Sequence, residues 1–293
     1  MALVQYSSSE SDSEQDAPPR KINKQSHASK SQQQTSLPPL PASFHDLYTS
    51  STRVSVRDDP SLHGGRKRAI PHVEGNWPTH VYLEWYPSRD ELKILKDIIS
   101  HTQSMHMHAE EQTSLHSFLH SDLGAQLPLH ISLSRPVVLR TKERQTFLET
   151  FQHALRESDI PPFDVGVEGL HWVSNHEKTR WFYVLRAKRP EKDCLNRLLR
   201  ISNRSLGLFG QPPLYEHERS DGSRIGVHGN KFTPQADYSD CFHVSIAWSL
   251  TEPSADDKER MKSIDVRELS ALGIRFDCVK VKIGNNVSSL ALG

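Results

Sequence analysis

The chain has 293 residues, with 36 Lys and Arg balanced by 36 Asp and Glu, 17 His and three Cys. The length suits one bilobal domain with a tail, or two smaller domains. Balanced charge argues against a duplex-binding protein, because neutralising phosphates needs clustered positive charge. The sequence has no run of 18 apolar residues and no apolar leader, so we expect neither a transmembrane helix nor a signal peptide. Three cysteines without a C-x-x-C pair indicate a soluble protein of a reducing compartment.

Residues 1–68 are predicted to form a disordered tail. They are rich in Ser, Gln, Pro and charge and contain no Trp, so they bury too little apolar surface to offset the entropy of ordering. The basic triplet Arg66-Lys67-Arg68 is either a short nuclear-localisation patch or an ordinary linker end. Residues 69–293 hold all five Trp and form the predicted folded domain.

The first half of the domain is predicted to alternate strands and helices. Thr79–Trp85 forms a strand, and Ser88 opens a capping box that starts an amphipathic helix. A polar, His-rich stretch then leads into a short helix that ends near Ser121. Leu129–Leu139 follows as a strand pair or one bent strand.

The next elements follow the same logic. Thr141 is predicted to cap a helix whose apolar face repeats every three to four residues. Phe163–Val173 and Trp181–Arg186 are strands joined by the polar turn 175–178. Pro190 is expected at the start of another helix.

The last segments complete two similar halves. Residues 206–240 are predicted to be a long, turn-rich loop, which in a compact domain is usually functional or mobile. A strand at Phe242–Leu250, a helix at about Ala255–Leu269 and a strand at Ile274–Ile283 follow. Mixed helices and antiparallel strands in two similar halves predict an α+β fold with an internal duplication.

A short pattern occurs twice in the predicted strands. The two copies are Leu129-His130-Ile131-Ser132-Leu133 and Phe242-His243-Val244-Ser245-Ile246. Because side chains alternate between the faces of a strand, each copy places its apolar residues in the core and its His and Ser together on the other face. We call each copy a His-x-Ser strand.

One copy alone is more typical of a partly buried His on an amphipathic strand. With its three apolar flanks, the pattern is expected about 0.1 times by chance in this composition, and it occurs twice. Two copies that face each other across a groove would present two imidazoles and two hydroxyls to one small ligand. Such a pair suits acid–base cleavage at phosphorus, because one ring can be neutral while the other is protonated. The hydroxyls can hydrogen-bond the non-bridging oxygens as charge develops.

These residues give the chain a resemblance to a known family. The two His-x-Ser strands resemble those of the two-histidine (2H) phosphoesterase superfamily, and within it the U6 small nuclear RNA phosphodiesterases. The resemblance covers about residues 70–290 and omits the tail. Further matching pieces are Gly75–Tyr82, Val137–Arg140, Asn175–Arg180, Phe242–Trp248 and Lys282–Asn285.

The resemblance implies a bilobal fold with two pseudo-symmetric lobes, each an antiparallel sheet flanked by helices, with the active-site groove between them. It implies a nuclear 3′-to-5′ exoribonuclease that trims terminal uridines from the single-stranded 3′ end of U6 RNA, with no metal and no cofactor. His130 carries over as the proton acceptor and His243 as the proton donor, with Ser132 and Ser245 as phosphate ligands. A monomer is expected.

Contacts with the nucleotide base are less well specified by the resemblance. The family places a stacking aromatic just before the second His-x-Ser strand, and Tyr238 is the nearest candidate. The segment before that strand differs in length from the family pattern, so Phe232 or Tyr215 is the alternative. His176 and Ser239 complete the candidate nucleotide contacts.

Other histidines and the cysteines receive structural interpretations. His101, His106 and His108 form a polar cluster for which a solvated surface is favoured over a zinc site. His80 and His171 lie in apolar strands and are predicted to be structural. Cys194 and Cys241 are predicted to be packed thiols.

Two alternative functions stay open from the sequence. One is a non-catalytic RNA- or nucleotide-binding module that retains the groove. The other is a phosphodiesterase that opens a pre-formed 2′,3′-cyclic phosphate on another RNA. The pattern also leaves open whether the product end is a cyclic phosphate or an opened phosphate.

Overall fold

The computed structural model describes residues 73–106, 115–175, 177–216, 236–262, 269 and 272–293. These residues all lie within one compact unit, Ala42–Gly293. The described elements are, in chain order, β1 (Asn76–Trp85), α1 (Arg89–His106), β2 (His116–Ser117), β3 (Leu129–Ser132), β4 (Val137–Arg140), α2 (Arg144–Glu157), β5 (Phe163–Ser174), β6 (Trp181–Ala187), α3 (Cys194–Gly207), β7 (His243–Ser249), α4 (Ala255–Lys262), β8 (Gly273–Phe276), β9 (Cys278–Ile283) and β10 (Asn286–Ala291).

The strands form one antiparallel sheet in the order β10-β9-β1-β3-β7-β6-β5-β8, with β4 paired to β1 and β2 paired to β7. The predicted α+β class is therefore confirmed. The two antiparallel sheets expected for the two lobes are the two halves of this single sheet, and they meet where β3 pairs with β7. The two His-x-Ser strands are thus the central strands of the molecule.

The helices cover the sheet and complete one hydrophobic core. Helix α2 packs against α3, α1 contacts β7, and α4 contacts β5. Helix α2 buries Phe147, Phe151 and Leu155, as their spacing predicts. The buried apolar residues of both halves of the sheet belong to one continuous cluster.

Several elements are confirmed. The capping box at the start of α1 is present, because the Ser88 N–H donates to Glu91 Oε2 at 2.6 Å and the Glu91 N–H donates to Ser88 Oγ at 3.3 Å. The strand pair between residues 129 and 139 is present as β3 and β4. The β5–β6 hairpin also forms with the predicted turn.

The short helix predicted to end near Ser121 is wrong. Leu115 and Leu119 are both buried and four residues apart, which mimics helical spacing. The backbone between them instead pairs with β7 as β2, and the Phe118 N–H donates to the Ile246 carbonyl at 2.9 Å. Backbone pairing with the central strand β7 therefore determines the conformation of this segment, against its local helical pattern.

Two predicted helix starts are corrected. Thr141 does not cap α2: its Oγ1 donates to the Gly75 carbonyl at 3.2 Å and accepts from Trp77 Nε1 at 3.0 Å. It therefore ties β1 to a 3-10 turn that precedes α2. Helix α3 begins at Cys194 rather than at Pro190, because Asp193 has a left-handed backbone with φ of 53° that helical geometry excludes.

The remaining boundaries shift in smaller ways. The predicted strand at Ile274–Ile283 is two strands, β8 and β9, and β10 was not predicted. Helix α3 continues through Gly207, two residues into the predicted loop 206–240, of which residues 217–235 lie outside the described part. The predicted tail 1–68 and residues 263–268 of the predicted last helix also lie outside it. None of the described helices is both long and apolar enough to cross a bilayer.

Candidate active site

The centre of the sheet fixes the relation between the two His-x-Ser strands. Ile131 of β3 lies directly opposite Val244 of β7 in an antiparallel pair. Both side chains are almost completely buried, with exposed fractions of 0% and 1%. Because neighbouring residues of a strand point to opposite faces, the His and Ser on either side of each buried residue share the other face.

The antiparallel register then pairs the polar residues crosswise. Counting one residue each way from the Ile131–Val244 pair places His130 opposite Ser245 and Ser132 opposite His243. Each histidine is therefore beside the serine of the other strand, and the four side chains form a compact square. We call the surface around this square the catalytic face.

His130 has an environment that favours its neutral form. Burial and the charge of His243 lower the pKa of His130 to about 4, yet its side chain keeps exposed surface. Protein atoms therefore surround part of the ring, and a ligand can still reach the rest. Its edge contacts the rings of Tyr82 and His80, with centroids 5.6 and 5.4 Å away.

His80 belongs to this site and was not predicted to do so. Its Nε2 lies 3.2 Å from Ser132 Oγ, and its ring stacks on Tyr82 with centroids 5.1 Å apart. Burial, followed by the charges of His130 and Lys282, lowers the pKa of His80 to about 3. A neutral His80 can fix the direction of the Ser132 hydroxyl. The period-two alternation of β1, which places residues 80, 82 and 84 on one face, is the signal that could have found it.

His243 is held through its other ring nitrogen. Nδ1 lies 2.7 Å from the Cys241 carbonyl oxygen, and a carbonyl only accepts, so Nδ1 carries the proton. Nε2 is therefore the nitrogen that remains for a ligand. Burial lowers the pKa of His243, while the bond to the Cys241 carbonyl opposes this shift and stabilises the imidazolium.

Charged pairs flank the square on both sides. Glu84 lies opposite His130, and its Oε2 is 3.5 Å from Lys280 Nζ, with both side chains largely buried. On the other side Arg186 lies opposite His243 and reaches Asp240 at 2.5 Å. Each histidine therefore has a charged neighbour that is already paired within the protein.

The segment before β7 positions Tyr238 and Ser239. Asn196 of α3 is 1% exposed; its Oδ1 accepts from the Tyr238 N–H at 2.9 Å and its Nδ2 donates to Ser239 Oγ at 3.1 Å. The Ser239 hydroxyl donates to Asp237 Oδ1 at 2.6 Å, and the bonds from Ser239 lower the pKa of Asp237 to about 2. Ser239 therefore stabilises this turn.

Two of the three aromatic candidates lie together. The rings of Tyr238 and Tyr215 are 6.3 Å apart, and Tyr215 contacts Phe242 edge to face at 5.8 Å. Phe232 and His176 lie outside the described residues. The turn that contains position 176 is closed by Asn175, whose Oδ1 accepts from the N–H groups of Thr179 and Arg180 at 2.9 and 3.1 Å.

The described part of the chain contains no group of three or more His, Cys, Asp or Glu side chains arranged to hold a metal ion. His101 is an exposed residue of α1, His106 lies at the end of that helix, and His108 is outside the described residues.

The pKa values of Cys194, Cys241 and Cys278 are all raised, first of all by burial. These side chains are therefore thiols at neutral pH rather than reactive thiolates.

Comparison with known proteins shows the family. The model of a family described as HVSL, uncharacterised conserved protein, matches residues 38–291. U6 snRNA phosphodiesterase 1 of Neurospora crassa is 35% identical over 291 residues, which cover 88% of this chain and 75% of that protein. This chain belongs to the HVSL family. The human U6 snRNA phosphodiesterase 1 is 26% identical over 305 residues, covering 99% of this chain and 98% of that protein.

The fold of this HVSL-family chain is also that of solved structures. Usb1 of Kluyveromyces marxianus superposes with a TM-score of 0.53 at 18% identity, over 74% of this chain and 98% of that chain. The same protein solved with uridine monophosphate gives a TM-score of 0.51 at 17% identity, over 75% and 99% of the two chains. The architecture inferred from the two His-x-Ser strands is thus confirmed.

Proposed function

We propose that this protein is an RNA phosphodiesterase that acts as a 3′-to-5′ exoribonuclease and trims terminal uridines from the single-stranded 3′ end of U6 snRNA. The crosswise pairing of His130 with Ser245 and of Ser132 with His243 is the observation that carries the proposal. Support for the substrate comes from the relatives of Neurospora crassa and human, which are named U6 snRNA phosphodiesterase 1.

The proposed first step is a transfer within the RNA. Nε2 or Nδ1 of neutral His130 takes the proton of the 2′-hydroxyl beside the scissile phosphate, and the 2′-oxygen attacks phosphorus. As the P–O5′ bond breaks, His243 Nε2 donates its proton to the leaving 5′-oxygen. The products are a 2′,3′-cyclic phosphate end and a released nucleoside with a free 5′-hydroxyl. Neither proton transfer needs a metal ion.

The assignment of these two roles rests on the different surroundings of the rings. The pKa of His130 is lowered to about 4, which keeps it unprotonated and able to accept a proton at neutral pH. Burial lowers the pKa of His243 as well, but the Cys241 carbonyl, 2.7 Å from Nδ1, opposes that shift, and the negative charge of a bound phosphate favours the protonated ring further. His130 is therefore the base and His243 the acid.

The phosphate and the leaving nucleotide have their own proposed contacts. Ser132 and Ser245 donate hydrogen bonds to the non-bridging oxygens, where charge develops in the transition state. Tyr238, held by its backbone bond to Asn196, stacks on the terminal base, with Tyr215 behind it. Position 176 is proposed to contact the same nucleotide.

The decisive experiment uses the purified full chain, a short RNA with a 3′ oligo-uridine end, and EDTA. We expect stepwise shortening that persists in the chelator and is lost in His130→Ala and in His243→Ala. His153→Ala is the matched control, because His153 is an exposed residue of α2 beside Glu157. Loss of activity in EDTA, or activity that survives both substitutions, would contradict the proposal.

Mass spectrometry of the shortened RNA separates the remaining alternatives. A cyclic phosphate end matches the first step alone, whereas a linear phosphate shows that the enzyme also opens the ring. Oligo-uridine binding without any product, unchanged in either His→Ala variant, indicates a non-catalytic binding module. Activity confined to RNA that already carries a cyclic phosphate indicates a cyclic phosphodiesterase.

We also propose that the protein works as a monomer in the nucleus. All four side chains of the square come from one chain, so the site needs no second copy. A monomeric mass by light scattering at the assay concentration is the expected result. Nuclear fluorescence of the tagged full chain, lost on replacing Arg66, Lys67 and Arg68 by Ala, would support the localisation; a cytoplasmic wild-type signal would contradict it.

A further inference from the structure

A second group of rings lies beyond the catalytic square. His116 of β2 is directly opposite Trp248 of β7, and their rings stack with centroids 4.3 Å apart and planes 20° apart. Trp248 is 5% exposed, whereas His116 is exposed. One face of the imidazole is thus fixed on a buried indole while the side chain still meets solvent.

Neighbouring side chains extend this stack. Phe118 and Phe182 lie parallel beside it, with ring centroids 6.3 Å apart and planes 16° apart. The guanidinium carbon of Arg180 is 5.5 Å from the Trp248 ring centroid. We call the four rings of His116, Phe118, Phe182 and Trp248 the aromatic platform.

The strand register places the aromatic platform on the catalytic face. Phe182 of β6 is opposite Trp248, and Val184 of the same strand is opposite Ser245. Because residues 182 and 184 share a face of the strand, the platform and Ser245 lie on the same side of the sheet. The separation along β6 is two residues, or about 7 Å, which is of the order of one nucleoside.

The platform lies at one particular end of the square. The row formed by His130 and Ser245 is nearest to it, whereas the row of His243 and Ser132 is nearest to the segment that carries Tyr238, which directly precedes β7. In the proposed reaction the leaving nucleotide is at the His243 end. The nucleotide that supplies the attacking 2′-hydroxyl is at the His130 end, next to the platform.

We propose that the aromatic platform binds the base of the nucleotide immediately 5′ to the scissile phosphate. The inference rests on the proposed function, which sets the direction of the RNA. A stacking surface with a nearby guanidinium accepts any base, because every base has a π-face. The site therefore orients the attacking ribose without adding a sequence requirement at that position.

The test uses an oligo-uridine RNA whose penultimate residue is abasic but keeps its ribose 2′-hydroxyl. Stacking of ~1–3 kcal/mol per base predicts that the wild-type kcat/KM falls about 5- to 160-fold on the abasic RNA. On intact RNA the kcat/KM of His116→Ala should be lower than that of wild type by the same factor, and it should fall little further on the abasic RNA. His116→Trp should retain the wild-type response, and His153→Ala is the matched control.

A binding measurement separates this inference from the proposed function. His130→Ala, with an RNA that is 2′-deoxy at the penultimate residue, reports affinity without cleavage. Weaker anisotropy binding of the abasic version, with the difference lost on adding His116→Ala, supports the platform even if the wild-type protein cleaves nothing. Equal binding of the two RNAs, or a His116→Ala variant that stays fully sensitive to the missing base, would overturn it.

Discussion

The two halves of the catalytic face present the same His-x-Ser pattern in different surroundings. Around His130 the neighbours are the rings of His80 and Tyr82, and burial, followed by the charge of His243, lowers its pKa. Around His243 they are the Cys241 carbonyl and the paired Arg186. The comparison shows how a duplicated strand places its two rings in different surroundings: burial lowers the pKa of both, but only at His243 does a bond to a backbone carbonyl oppose that shift.

The serines differ in a parallel way. His80 lies two residues before Tyr82, which is opposite Ser132, and it contacts the Ser132 hydroxyl. The corresponding position in the other half is Phe182, two residues before Val184, which is opposite Ser245. Because a phenyl ring offers no hydrogen-bonding group, Phe182 cannot orient the Ser245 hydroxyl as His80 can orient that of Ser132.

The largest expected effect comes from removing either catalytic histidine. His130→Ala and His243→Ala should each lower kcat by about 10²–10⁴-fold, because general acid or base catalysis is typically worth that factor. Single-turnover cleavage of a uridine-tailed RNA measures it, and circular dichroism checks the fold. A variant within threefold of wild type would remove that histidine from the mechanism.

The next largest effects come from the two serines and from His80, which contacts the hydroxyl of Ser132. Ser132→Ala and Ser245→Ala should each lower kcat by roughly 10- to 100-fold through lost stabilisation of the phosphate oxygens. His80→Phe should cost about 5- to 10-fold, the value of one hydrogen bond, and His80→Gln should recover part of it.

A double-mutant cycle sharpens this comparison. His80→Phe should lower kcat little further once Ser132 is replaced by Ala. In combination with Ser245→Ala, the two fold-reductions in kcat should multiply, because only residues that share an interaction are coupled. Equal coupling to both serines would contradict the role given to His80.

A smaller effect is expected in the half that contains His243. Asn196→Ala removes the side chain that holds the backbone of Tyr238 and the hydroxyl of Ser239. The stacking segment should then be less well positioned, so KM should rise several-fold while kcat changes little. A fall in kcat at constant KM would show that Asn196 acts on the chemistry instead.

The smallest expected effect is on stability. The pKa of His80 is about 3 in the folded protein against 6.5 in the unfolded chain, so its contribution is complete above pH 6.5 and is lost as the pH falls. When the pH is lowered from 7 to 5, the free energy of unfolding should therefore fall by about 1–2 kcal/mol more in wild type than in His80→Phe. Urea unfolding at both pH values measures this difference, and a difference between the two proteins that does not change with pH would contradict a partly buried, neutral His80.

Features of the fold and the site that depend on residues close together in the sequence were predictable, whereas features that depend on residues far apart in the chain were not. The His-x-Ser strands, the β5–β6 hairpin and α1 are set by local alternation, turn residues and a capping box, so the sequence predicted them. Their crosswise pairing depends on the register of β3 with β7, strands that lie 113 residues apart in the chain. The roles of His80 and His116 likewise need partners that only the sheet brings near, and β2 was mistaken for a helix for the same reason.

The central claim, that His130 is the base and His243 the acid, is tested most directly by changing the leaving group. An RNA with sulfur in place of the scissile 5′-oxygen releases a thiolate, which needs no proton from an acid. We expect this substrate to restore cleavage by His243→Ala toward the wild-type rate and to leave His130→Ala inactive. Rescue of His130→Ala instead, or of neither variant, would contradict the assignment.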